Sequence, residues 1–451
     1  MALFLPLIAA IAQGGAADPL VFEAKSETLP NGLTVMIVED KRTDTVALHL
    51  TYGVGSRDER DGEHGCAHLF EHLMFEGSKN VPTNAFDDWL TAAGGENNAF
   101  TSQDETAYHM TFPSSALDLA LFLESDRMAY LDAGLGDENL KNQQSVVLQE
   151  RYQGFAEPHG RDWDALTRLM YPDGHPYEVS TIGTVADVEG FTTAGVLDFW
   201  KRHYRPRNAV LVLVGNVDAD AAMERVKHWF SDVPDTGAPE ARLGSQVELP
   251  SVAANGHLED NVEDWTMMAA WRTVPSTHPD AEALDVLGWV LSGGRGTRLD
   301  DALYYDKPLT TDAGAGGYTA QIDGEFLVYA TSDKPRLEKL LKITDKVLAD
   351  LPKHPPTEDE LERARQAIHG GMLDMLESPP ARAEAIASCY VERGQIGDCL
   401  SSRWARYQAV TSADVVRVAQ AYLRPERRSV LTIIPMGDDN TLPASTLVEL
   451  P

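Results

Sequence analysis

Thr193–Gly215 reads TAGVLDFWKRHYRPRNAVLVLVG, and Thr411–Pro435 reads TSADVVRVAQAYLRPERRSVLTIIP. Each stretch opens on a Thr placed as a helix N-cap and continues as an amphipathic helix of about three turns. Each then reaches a Tyr just before a Pro flanked by basic residues and ends in a Val, Leu and Ile run with the composition of a buried strand. The interval from Thr to Tyr, 193 to 204 and 411 to 422, is the same in both. A helix, breaker and strand recurring in both halves of a 451-residue chain predict a duplicated unit. Between the copies, residues 236–256 (TGAPEARLGSQVELPSVAANG) are rich in Pro, Gly, Ala and Ser without a period, which marks a linker.

Outward from the repeat, the first half runs strands first and helices second. Leu33, Val35 and Ile37 alternate with polar or opposite-facing positions, as do Val46 through Tyr52 and Tyr108 through Phe112. Helical periodicity follows over Ser115–Tyr130 and Asp137–Gln153. The expected class is α+β: two homologous domains, each a mostly antiparallel sheet packed against helices. The expected division is a leader over 1–17, a first domain over 18–235, the linker over 236–256 and a second domain over 257–445. A length of 451 residues fits two or three domains.

Composition narrows the function. There are 38 Lys and Arg against 70 Asp and Glu, a net charge of −32. Such a surface repels phosphate backbones and anionic lipid headgroups, so nucleic-acid binding is excluded and membrane adhesion disfavoured. No apolar stretch is long enough to cross a bilayer, so no transmembrane anchor is expected. Ala2–Ala12 (ALFLPLIAAIA), with small residues through Ala17, has the pattern of an export signal cleaved after Ala17, although no basic residue precedes it. A periplasmic or otherwise exported protein is expected. Cys389 and Cys399 suit either a disulfide in an oxidising space or two reduced buried thiols, and Cys66 reads as a small core residue. Ser292-Gly293-Gly294-Arg295-Gly296 lacks the strand-to-helix context of a dinucleotide site and reads as a turn.

The chemistry lies in His64-Gly65-Cys66-Ala67-His68-Leu69-Phe70-Glu71-His72. His68 and His72, four apart, stack on one helix face with their rings close enough to share one metal ion. Glu71 reaches the same place without being a ligand. Two neutral imidazoles plus one carboxylate hold zinc with an open fourth position, and a second carboxylate takes a proton from water. With 13 His in the chain, about 0.03 chance copies of His-x-x-Glu-His are expected. For the third ligand, spacing alone leaves Glu124, Glu138, Glu150 and Glu157 open. Gln143 lies two turns before Glu150 and shares its helix face.

Taken together, these residues resemble the pitrilysin-type inverted-zinc-motif metallopeptidases, the family of insulin-degrading enzyme and mitochondrial processing peptidase, and most of all their shorter bacterial relatives. The resemblance runs in family order through Val54–Glu59, Gly65–His72, Met74–Ser78, Ala93–Gly95, Asn98–Thr101 with Asp104, Thr106 and Tyr108, Leu123–Met128, Asn142–Arg151, His175–Tyr177 and Ile182–Thr184. It implies one Zn2+ per chain on His68, His72 and Glu150, with Glu71 as general base for attack on a peptide carbonyl. It implies a positioning role for Gln143, where some members have Glu. It also implies that Asn98, Ala99, Phe100 and Thr101 form an edge strand on which an extended peptide is laid.

In the second half the resemblance departs from the pattern. Active members carry an Arg and a Tyr that contact substrate where this chain has Tyr304 and Thr311. The implied activity is a zinc metalloendopeptidase for short or unfolded peptides, built as the zinc-bearing subunit of a heterodimer whose homologous partner supplies the Arg and Tyr. The other reading is a non-catalytic, structural or peptide-binding member of the same fold.

Overall fold

The computed structural model describes residues 20–235, 253–394 and 399–450. The expected leader over 1–17 lies outside these, as does the expected linker up to residue 252. The first half contributes β1 (Lys25–Thr28), β2 (Thr34–Glu39), β3 (Thr45–Tyr52), β4 (Glu96–Thr101), β5 (Thr106–Pro113) and β6 (Ala209–Gly215). The second contributes β7 (Ala254–Asp260), β8 (Trp265–Thr273), β9 (Asp312–Thr319), β10 (Gly324–Ser332), β11 (Arg428–Pro435) and β12 (Thr446–Leu447). Strand β7 therefore begins inside the segment expected as linker, which is extended and paired from Ala254.

The two sheets have the orders β1-β2-β6-β3-β5-β4 and β12-β7-β11-β8-β10-β9. From the second position onward the topologies match, so the duplication covers five of the six strands of each sheet and not only the repeat that announced it. In each, the repeated strand (β6 or β11) enters beside the first long strand in parallel and beside the second in antiparallel. The parallel step follows from the connection: the strand returns after a long helical excursion, whereas neighbours joined by short turns pair antiparallel. The helix before β6 starts at Thr193, but its cap is Thr192, one residue earlier than the sequence pattern indicates. Thr192 is extended and its hydroxyl accepts from the Gly195 amide, while Thr193 is already helical. In the second copy the cap is Thr411, with Asp414 closing the capping box.

Strand β6 is buried at every residue, which requires cover on both faces. One face joins Leu48, Leu50, Leu211 and Leu213 to the helices of its own half. The other presents Met36, Val38, Val210, Val212 and Val214, and it is covered by Ala383, Ile386 and Ala387. These belong to the helix Pro379–Arg393, which comes from the second half. The exchange is reciprocal. Leu258, Met268, Ala270, Leu431 and Ile433 on the second sheet are covered by Ala165, Leu166 and Met170 of the first-half helix Asp162–Met170. Each exchanged helix is the third α-helix after the edge hairpin of its own half, β4–β5 or β9–β10, so the exchange obeys the duplication. Leu20, at the start of the described chain, is also buried in the second-half core.

Polar groups complete the junction. Asp104, in the β4–β5 turn, pairs with Arg57 at 2.9 Å, accepts the Tyr177 hydroxyl at 2.8 Å and accepts the Gln321 amide of the β9–β10 turn at 2.8 Å. Beside it, Arg272 donates through Nε to Asp323 at 2.9 Å, and His175 lies 3.3 Å from the same carboxylate. The two turns that end the two edge hairpins are thereby held against one another. Cys389 and Cys399 are disulfide-bonded, and Cys66 is free and buried in the first core. No helix among the described residues is long and apolar enough to cross a membrane.

Candidate metal centre

The helix α1 (Cys66–Leu73) carries the motif. Its start is fixed tightly. Gly65 sits at φ +96°, where a Cβ would meet the Ile182 carbonyl at 2.8 Å, so the left-handed entry and the close packing both call for glycine. Two of the amides at the helix start are satisfied by the buried Glu59, whose carboxylate accepts from Gly65 at 3.0 Å and Ala67 at 2.8 Å. Burial pushes the Glu59 carboxyl up, against these two backbone bonds. Glu59 is a site-building residue that spacing arguments miss, because its signal is a capping bond across a loop rather than a helical interval.

Cys66, Ala67, Leu69, Phe70 and Leu73 bury one face of α1. The remaining stripe carries His68, Glu71 and His72 and faces the helix α2 (Asp137–Ala156), which carries Glu150. The rings of His68 and His72 lie 4.9 Å apart, edge to face. The Glu150 carboxylate lies 3.9 Å from His68 Nε2 and 3.5 Å from His72 Nε2, and one donor atom from each of the three residues falls within a 4.8 Å span. Tetrahedral zinc with bonds of about 2.0–2.2 Å separates its ligand atoms by roughly 3.3–3.5 Å, so this donor set fits the ion with small adjustments. Burial, with His72 adding to it, pushes the His68 imidazole down to about 4, which keeps its lone pair free for a metal at neutral pH.

Among the described residues no other His, Cys, Asp or Glu group could hold a metal ion. Of the alternatives open on spacing, Glu124 is fully buried and bound by both arms of Arg127 at 2.6 and 2.8 Å, while Glu138 and Glu157 take no part in the cluster.

Glu71 stands apart from the three. Its Oε2 accepts the Thr101 hydroxyl at 2.8 Å, and burial raises its carboxyl above the usual range, with the Thr101 bond opposing. Thr101 is the last residue of β4, which pairs with β5 only and leaves its other edge open. Asn98, Ala99 and Phe100 precede it on that edge, so the strand expected to receive a peptide ends at the residue that holds Glu71.

Gln143 goes elsewhere. Its amide donates to one oxygen of the Glu76 carboxylate and Asn139 donates to the other at 2.9 Å, and no hydrogen bond joins it to Glu71. Two turns of helix do put Gln143 on the Glu150 face, but Glu76 is the nearer acceptor. Tyr304 and Thr311 line a second-half cavity of about 270 Å³ that includes none of the four motif residues. In the Ser292–Gly296 turn the amides of Gly293 and Gly294 are taken by Asp300 at 3.1 and 2.7 Å, which fills the loop from within.

Sequence and structure comparisons agree with this layout. The profile of the insulinase family, peptidase family M16, matches residues 34–183, and that of the peptidase M16 inactive domain matches residues 190–368. The chain is 27% identical over 416 residues to the zinc protease PqqE of Helicobacter pylori, covering 91% of this chain and 93% of that one. It is 28% identical over 374 residues to an uncharacterized zinc protease of Mycobacterium tuberculosis, covering 81% and 83%. Among solved structures, a protease from Helicobacter pylori superimposes with a TM-score of 0.84 at 27% identity, covering 92% of this chain and all of that one. The periplasmic protease PqqL of Escherichia coli shares the fold at 18% identity and a TM-score of 0.77, covering 91% of this chain and 47% of that one.

Proposed function

Because the chain belongs to peptidase family M16, the pitrilysin and insulinase family, we propose that it is a zinc-dependent endopeptidase acting on short or unfolded peptides. The observation that carries the reading is the convergence of His68, His72 and Glu150 beside a fourth, separately held carboxylate, Glu71.

His68, His72 and Glu150 would hold the ion. Zinc, when bound, supplies a Lewis acid that polarises a carbonyl and makes water acidic enough to react near neutral pH. The rest falls to the chain. The open edge of β4 takes an extended peptide by backbone pairing, which binds the main chain irrespective of sequence. Glu71 accepts the proton of the attacking water and returns it to the leaving amine; a carboxyl raised by burial is a stronger base than one in water. The Thr101 hydroxyl fixes which oxygen of Glu71 is free for that work, and Glu59 fixes the start of the helix that carries Glu71. Gln143 acts at most through Glu76.

The second half keeps the fold without a metal cluster among its described residues, and it has Tyr304 and Thr311 in place of the Arg and Tyr of the active pattern. This supports a catalytic subunit working with a homologous partner that brings those two side chains. The Cys389–Cys399 disulfide supports an oxidising, exported location.

Purified protein is expected to contain one zinc per chain by elemental analysis and to cleave a quenched unstructured peptide, more rapidly when its homologous partner is added. A chelator should remove both metal and turnover, and zinc should restore both. Metal-free protein with unaltered turnover would end the proposal.

A further inference from the structure

Both imidazoles and Glu71 ride on α1, which is only eight residues long. A helix that short is not stable by itself, so its position is set by what grips its ends. Glu59 takes amides at the start. The other end is gripped by a buried cation. In the helix Leu117–Tyr130, Arg127 is 2% exposed, and its Nε and Nη2 donate to the fully buried Glu124 at 2.8 and 2.6 Å. The remaining nitrogen, Nη1, makes a long hydrogen bond of 3.5 Å to the carbonyl of Met74, the C-cap residue of α1. The guanidinium also lies 4.3, 4.5 and 4.9 Å from the ring centres of Tyr108, Phe86 and Phe75. Tyr108 in turn donates its hydroxyl to the carbonyl of Phe70, the residue before Glu71, at 3.1 Å.

Two features separate this arrangement from ordinary core packing. A buried ion pair is an expensive way to fill space, because an apolar pair of similar volume is often as stable or more so. Stability alone therefore does not call for Arg127 and Glu124. The second feature is where the contacts fall. A helix ends in carbonyls without intrahelical donors, and its macrodipole is negative there, so a cation at that end is favourable. A guanidinium shared between a carboxylate, a helix-end carbonyl and three ring faces fixes direction as well as distance. An apolar side chain would supply the packing and no donor.

We propose that Arg127, oriented by Glu124 and acting through Met74 and Tyr108, is a positioning residue for the metal centre. It sets the height and rotation of α1, and with them the angle at which His68 and His72 face Glu150. Its service to hydrolysis rests on the peptidase reading. Glu71 and His72 lie within three residues of both contacted carbonyls, and a displacement of about 1 Å can lower a rate about a hundredfold.

The test compares wild type with two variants. The double variant Arg127→Met with Glu124→Leu fills the space without leaving a buried charge unpaired, and Tyr108→Phe deletes one hydroxyl. The readouts are zinc affinity by competition with a chelator, the visible spectrum of cobalt(II)-loaded protein, and kcat and KM on a quenched peptide, with melting temperature as the control for packing. The double variant is expected to melt close to wild type. It should hold zinc about tenfold more weakly, give a shifted cobalt spectrum, and show kcat about tenfold lower at unchanged KM. Tyr108→Phe should lower zinc affinity and kcat by about threefold. Wild-type zinc affinity, cobalt spectrum and kcat in the folded double variant would overturn the assignment, as would a change confined to melting temperature. Should the double variant not fold, the same readouts on Tyr108→Phe decide. Weakened zinc and a shifted spectrum in variants of a protein that cleaves no peptide would count against the peptidase reading and leave the positioning role in place.

Discussion

At the scale of single residues, the site depends on keeping two carboxylates, on two facing helices, in different situations. Glu150 faces two imidazoles, whereas Glu71 is held by one hydroxyl and pushed toward the neutral form by its surroundings. Thr101 is therefore the side chain that joins the open edge of β4 to Glu71, the proposed base. Thr101→Val keeps the shape and strand preference of the residue and deletes the hydroxyl. It is expected to lower kcat by about tenfold, the loss of one hydrogen bond to a charged group, while leaving zinc content and KM within twofold. Steady-state kinetics with elemental analysis reads both, and an unchanged kcat would remove Thr101 from the machinery. The motif histidines and Glu71 are legible in the sequence because their relation is a local helical interval. Glu150 is not legible in that way, since its distance from His72 is set by tertiary packing and four glutamates compete on spacing. Glu59 and the Gln143–Glu76 bond are invisible for the same reason.

At the scale of elements, the exchanged helices decide how the sheets are finished. The all-apolar β6 announces that both of its faces are covered, but nothing local says that the cover for one of them is made by residues 379–393 of the other half. The duplication was readable because it repeats a local pattern; the exchange was not, because it is a choice among helices with similar apolar faces. One ion pair reports on the docking of Pro379–Arg393. Asp40 is buried, bound by Arg42 at 2.6 Å and by Arg382 of that helix at 2.9 Å. Arg42, against the effect of burial and with help from Arg382, holds the Asp40 carboxyl well below its ordinary value of 3.8. A depressed carboxyl contributes stability that is complete above its unfolded value and is lost as pH falls through the folded one. Asp40→Asn should therefore melt below wild type at pH 7, by an amount equivalent to about 1–3 kcal/mol, and the gap should start to narrow below pH about 4 and shrink progressively as pH falls further. A gap of the same size at pH 3 would mean that Asp40 acts by packing and not by charge.

At the scale of the whole molecule, each sheet is finished by the other half, and the edge hairpins of both are tied through Asp104 and Gln321. The halves should not unfold separately: calorimetry of the intact chain is expected to show one cooperative transition, and two resolved transitions would contradict the exchange as a stabilising device. This arrangement also places the metal cluster in the first half, beside the open edge of β4. The net charge of −32 favours the approach of cationic and neutral peptides over acidic ones. All of this is in the service of hydrolysis only if Glu71 moves the proton. That is decided by zinc content and peptide turnover measured together on wild-type and Glu71→Gln protein. The expected result is one zinc per chain in both and turnover reduced by at least about a thousandfold in the variant; a variant that retains zinc and cleaves at the wild-type rate would contradict it.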